Sequence, residues 1–71
     1  MTRYRYGFLG EIFKLEDDIA YEYSFKNSEW VRTTGAADAF YEGDRSFEIS
    51  YEEAMREIQR EERRSEKMNP I

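Results

Sequence analysis

The strongest constraint on this chain is a period of two. From Ile19 onward, large apolar groups fall at alternate positions, Ile19, Tyr21, Tyr23 and Phe25, with Ala20, Glu22, Ser24 and Lys26 between them. Only an extended strand gathers such a set on one side, because successive strand side chains point to opposite faces. A helix would scatter the same rings around its circumference. The period recurs in Tyr4, Tyr6 and Phe8 against Arg3, Arg5 and Gly7. It recurs again in Phe13 and Leu15 against Ile12, Lys14 and Glu16, which marks Phe13 and Leu15 as a core-facing pair. Asp17-Asp18 and Lys26-Asn27-Ser28 separate these runs and carry turn chemistry, since their side chains bond to nearby backbone and tolerate tight conformations. A further strand follows at EWVRTT, with Trp30, Val31 and the β-branched Thr33-Thr34. Turns this short make consecutive strands neighbours, so the expectation is an antiparallel meander of three to four strands.

A meander needs cover for its aromatic face. Ser50-Tyr51-Glu52-Glu53 supplies the start of a helix as a capping box, Ser50 bonding forward and Glu53 reaching back, with Ile49 placed to staple onto Ala54. Tyr51, Ala54, Met55 and Ile58 then recur at helical spacing, and Glu52, Glu53 and Glu57 sit where the helix dipole favours acids. Beyond Ile58 no apolar stripe continues. Glu57 with Arg60, and Glu61 with Arg64, stand three apart and can extend a solvated helix until Asn69-Pro70 stops it. GAADAFYEG is either a short helical turn presenting Ala36, Ala39 and Phe40 or an ordered loop, and the residues around Phe47 and Ile49 can add a brief strand. The expected fold is therefore α+β. An antiparallel β-meander of three to four strands carries one C-terminal helix packed on its apolar face, in two layers. Residues 1–64 form a single domain, and 65–71 form a frayed tail.

The zeros in the composition matter more for function than the percentages. The 71 residues include no Cys and no His. That removes disulfides, thiolate or imidazole metal sites, cysteine nucleophiles and Ser-His triads. What remains is carboxylate, lysine or arginine chemistry, and no cofactor or metal is expected. The candidate carboxylate groups, Glu16, Asp17 and Asp18, or Asp38, Glu42 and Asp44, fit turns and a solvated loop, and EGD lacks the spacing of a calcium-binding hand. The chain is read as not an enzyme.

With 11 Lys+Arg against 16 Asp+Glu the net charge is -5, which on average repels phosphate. Against that average, RYRYGF interleaves rings with cations. Arg3, Tyr4, Arg5, Tyr6 and Lys14 are thus the candidate contacts for a single-stranded nucleic acid. Seven acids, Asp38, Glu42, Asp44, Glu48, Glu52, Glu53 and Glu57, suggest a further alternative, an acidic inhibitor that mimics nucleic acid. Neither a membrane span nor a secretory signal is evident, which points to a cytoplasmic protein without a membrane partner.

The leading expectation comes from surplus. One Trp, six Tyr and five Phe are more rings than a four-residue helical stripe can cover. Some should lie at the surface, where Tyr and Trp are effective contact anchors. Tyr21, Tyr23, Trp30, Phe40 and Tyr41 are the candidate surface. The function that follows is a small non-enzymatic protein-interaction or regulatory module, whose partner is another protein or a second copy of itself.

Overall fold

The computed structural model describes residues 1–43 and 45–67, with side chains through residue 64 except that of residue 44. Five strands and two helices follow one another as β1 (Arg3–Gly7), β2 (Ile12–Glu16), β3 (Ile19–Ser24), β4 (Glu29–Arg32), α1 (Thr34–Tyr41), β5 (Ser46–Ile49) and α2 (Tyr51–Lys67). All strand pairings are antiparallel, in the order β4-β3-β2-β1-β5. The α+β class and the meander of the first four strands are as expected. The strand count is corrected to five. After α1 the chain returns to the outer side of β1, where β5 pairs Tyr4 with Ile49 and Tyr6 with Phe47.

The turns form where the sequence placed them. Asp17 and Asp18 both take positive φ, 52° and 64°, the conformation that matches a two-residue hairpin turn to the twist of its strands. The β1–β2 connection instead closes with Gly7 N–H on the Glu11 carbonyl at 2.7 Å, and Gly10 adopts φ 90°.

The helix count is corrected to two, and the two helices lie on opposite faces of the sheet. Thr33 caps α1 by accepting the Ala36 N–H at 3.0 Å. Ala36 and Ala39 then pack on Phe13 and Ala20, flanked by Leu15 and Phe40. On the other face Ala54 and Ile58 of α2 enclose Ile12, with Tyr4, Tyr6, Tyr23, Phe25, Trp30, Ile49 and Met55 around them. The strands carry apolar groups on both faces, Phe13, Leu15 and Ala20 on one and Ile12 with the rings on the other. A single helix would have left one set uncovered, which is why the expected two-layer arrangement gives way to helix, sheet and helix.

The capping box forms in both directions: Ser50 N–H donates to Glu53 Oε1 and Glu53 N–H to Ser50 Oγ, each at 3.1 Å. Both anticipated helix pairs are present as well, Arg60 with Glu57 at 3.1 Å and Arg64 with Glu61 at 3.3 Å. α2 runs through residues 65–67 of the expected tail, while Asp44, the expected stop at Asn69-Pro70 and the rest of that tail, 68–71, lie outside the described residues.

Candidate interaction surface

The rings on the α2 face form a connected cluster. Tyr23 meets Trp30 edge-on at 5.2 Å and Phe25 at 5.1 Å, and Tyr4 meets Tyr51 at 5.7 Å and Trp30 at 6.3 Å. Such pairings exceed simple area burial by roughly 0.5–1.5 kcal/mol each. Lys14 reaches into this cluster, its Nζ 4.6 Å from the Trp30 ring centre and 5.1 Å from that of Tyr21, while it also pairs with Glu16 at 3.4 Å. The Tyr23 hydroxyl donates to Glu62, which ties the fourth turn of α2 to β3. Burial first, and then Glu62, raise the Tyr23 phenol above its ordinary value. Tyr4 is raised chiefly by burial too.

On the α1 face the polar groups lock together. Arg3 Nη2 donates to Glu48 Oε1 at 2.8 Å, and Arg5 donates to Ser46 Oγ at 2.8 Å and to the Ser46 carbonyl at 2.7 Å. The Arg3 hydrogen bond holds the Glu48 carboxyl below its usual range. Glu22, on the same face beneath Phe13 in register, is raised by burial, with the nearby Glu11 charge adding to it.

These positions divide the sets of residues singled out in the sequence. Tyr21, Tyr23 and Trp30 are half-buried together on the α2 face, whereas half-buried Phe40 and exposed Tyr41 belong to α1 on the other side. Tyr41 donates to the Asp18 carbonyl at 3.4 Å and lines a shallow cleft with Ile19, Arg32 and Ala37. Of the basic and aromatic set, Arg3 and Arg5 face α1 and are engaged by Glu48 and Ser46, while Tyr4, Tyr6 and Lys14 face α2. The rings and both arginines therefore do not form one platform.

Other exposed apolar groups lie outside these sets. Phe8 and Leu9, at the tip of the β1–β2 hairpin, are 71% and 88% exposed, and Phe47 of β5 is 51% exposed. Phe8 N–H bonds to the Arg45 carbonyl at 3.0 Å, so this tip lies directly beside the start of β5. Phe47 leans on Tyr6 with ring centres 5.7 Å apart. Between these rings and α2 runs a groove of about 300 Å³, with Tyr6, Phe47 and Ile49 on its floor and Glu53, Arg56 and Arg60 on its wall. Alternation with Tyr4 and Tyr6 places Phe8 on a strand face, but β1 ends at Gly7 and Phe8 lies in the turn. Gly7 and Gly10, which bracket Phe8-Leu9, were the available signal that this pair sits on a turn.

No helix among the described residues is long and apolar enough to cross a membrane. Comparison with protein-family models, with curated proteins and with solved structures finds no match.

Proposed function

We propose that the protein is a small non-enzymatic interaction module whose main contact surface is the hairpin tip Phe8-Leu9 with the adjoining Phe47 and Tyr6. One observation carries this: Phe8 and Leu9 at the hairpin tip and Phe47 on the strand that pairs with β1 all stand exposed. Exposed apolar groups rimmed by charge are the usual mark of a protein contact. Here the rim is Glu53, Arg56 and Arg60, which would set orientation more than strength. Tyr41, exposed on the opposite face, is a lesser contact on the same reading.

A photo-crosslinking amino acid placed at Leu9 in cells tests the proposal. The expected result is one discrete adduct with another protein. It should be lost in the Phe47→Ser background and absent when the probe stands at exposed Asp38. Failure to obtain an adduct from Leu9 refutes the contact surface.

A further inference from the structure

The two edges of the sheet are finished differently. In an antiparallel ladder each residue turns its N–H and C=O to the same neighbour, and successive residues alternate sides. The bond from Phe8 to Arg45 therefore fixes Phe47 and Ile49 as turned toward β1, with Ser46 and Glu48 turned outward. That outer row is closed in part. Arg5 crosses β5 to occupy the Ser46 carbonyl at 2.7 Å, and just past the strand Glu53 takes the Ser50 N–H at 3.1 Å, while the Glu48 N–H and C=O between them carry no bond among the described residues. Guarding of this kind prevents edge-to-edge association.

At the other edge, the two-residue turn makes Glu16 and Ile19 its closing hydrogen-bonded pair. Alternation then turns Ala20, Glu22 and Ser24 toward β4. Their partners Val31 and Glu29 face inward, and Trp30 and Arg32 offer N–H and C=O to the outside. Among the described residues no side chain or other backbone group bonds to these outward groups. Val31, between them, is an exposed β-branched side chain.

The geometry points to a second copy of this chain as the occupant of the β4 edge, joined antiparallel about a two-fold axis through Val31. In that register Trp30 of each copy stands opposite Arg32 of the other, both outward-turned, so each of the two pairs exchanges two backbone bonds. Val31 meets Val31 at the axis as the close, non-hydrogen-bonded pair, and Glu29 lies opposite Thr33. Each cation faces an indole, and no like charges meet. A shift by two residues one way sets Arg32 against Arg32. The opposite shift sets Trp30 against Trp30 and loses the central valine pair. The axis keeps both α1 helices on one face and both α2 helices on the other, giving a continuous ten-stranded sheet, twice the five of one chain. This contact is separate from the hairpin tip and stands whether or not the tip binds a partner.

The chain has no cysteine, so Val31→Cys introduces a single thiol. At the axis the paired Cα atoms lie about 4.5 Å apart, a spacing a disulfide accepts. Mild oxidation should link Val31→Cys chains at least about tenfold faster than Glu48→Cys chains on the guarded edge. Wild-type sedimentation should move from one-chain to two-chain mass between about 10 μM and about 1 mM, the range of a weak contact. Val31→Lys should return it to one-chain mass with its circular dichroism spectrum unchanged, and the double variant Phe8→Ser with Leu9→Ser should remain dimeric. One-chain mass at the highest concentration, equal linking rates for the two cysteine variants, or loss of the dimer in the Phe8/Leu9 variant would each overturn the inference.

Discussion

Ile12 is the most informative single position for the architecture. It is the largest side chain with no accessible surface, held between β1, β3 and the Ala54-Ile58 stripe of α2. Ile12→Ala removes three carbons, worth about 2.5 kcal/mol at ~0.8 kcal/mol each. The cavity left among partly fixed rings brings the cost to about 3–4 kcal/mol. Against a total stability of about 4–10 kcal/mol for a chain of this size, that loss is close to unfolding. Ile12→Val removes one carbon and should cost about 1 kcal/mol. Urea unfolding followed by Trp30 fluorescence is the suitable assay, because the single Trp belongs to the same cluster. With a slope of about 1 kcal/mol/M, Ile12→Ala should lower the midpoint by about 3 M, and Ile12→Val by about 1 M. A loss below about 1 kcal/mol for Ile12→Ala would mean that α2 does not seal this face, and the placement of the helices on opposite sides would fail with it.

Other expectations follow from individual contacts. Ser50→Ala removes one arm of the capping box and should destabilise by about 1 kcal/mol in the same urea assay, with no change in slope. Asp18→Gly relieves a side chain held at φ 64° and should raise the urea midpoint, with a gain of about 1 kcal/mol; a loss would argue against the hairpin turn. The raised Glu22 carboxyl disfavours charge in the folded state, so its contribution to stability is largest below its unfolded pKa and is lost as pH rises through the folded value. Glu22→Gln should accordingly be more stable than wild type at pH 7 and equal to it near pH 3, as compared by thermal melts. Glu48 has the opposite sign. Its lowered carboxyl contributes above the unfolded pKa and loses that contribution as pH falls through the folded value, so Glu48→Gln should flatten the acid side of the stability profile.

Much of the local structure was legible because it is written in short-range chemistry. Asp17-Asp18 makes a turn, Ser50 and Glu53 cap α2, and alternation fixes which residues of β1 to β4 share a side. Each of these depends on neighbours within four positions. The second helix and fifth strand were harder. The apolar content of α1 is mostly Ala36, Ala37 and Ala39, small residues whose burial becomes favourable only against Phe13 and Ala20. β5 has four residues, and its pairing with β1 joins residues about forty positions apart. The candidate surface was legible only as an excess of rings. Which rings remain outside depends on where α2 lies, and the exposed pair at Phe8-Leu9 was hidden by its continuity with the alternation of β1.

The sequence by itself determined that the chain forms an antiparallel α+β unit, where its main turns fall and how α2 begins, because periodicity and capping act between residues close along the chain. Only the tertiary structure decided that both faces of the sheet are covered, that Arg3 and Arg5 are engaged by Glu48 and Ser46 of β5, and that Phe8, Leu9 and Phe47 are left in solvent. Those outcomes depend on which distant segments meet. A strand's alternation states that two groups of side chains face opposite ways, and it is silent about which helix will arrive to cover each.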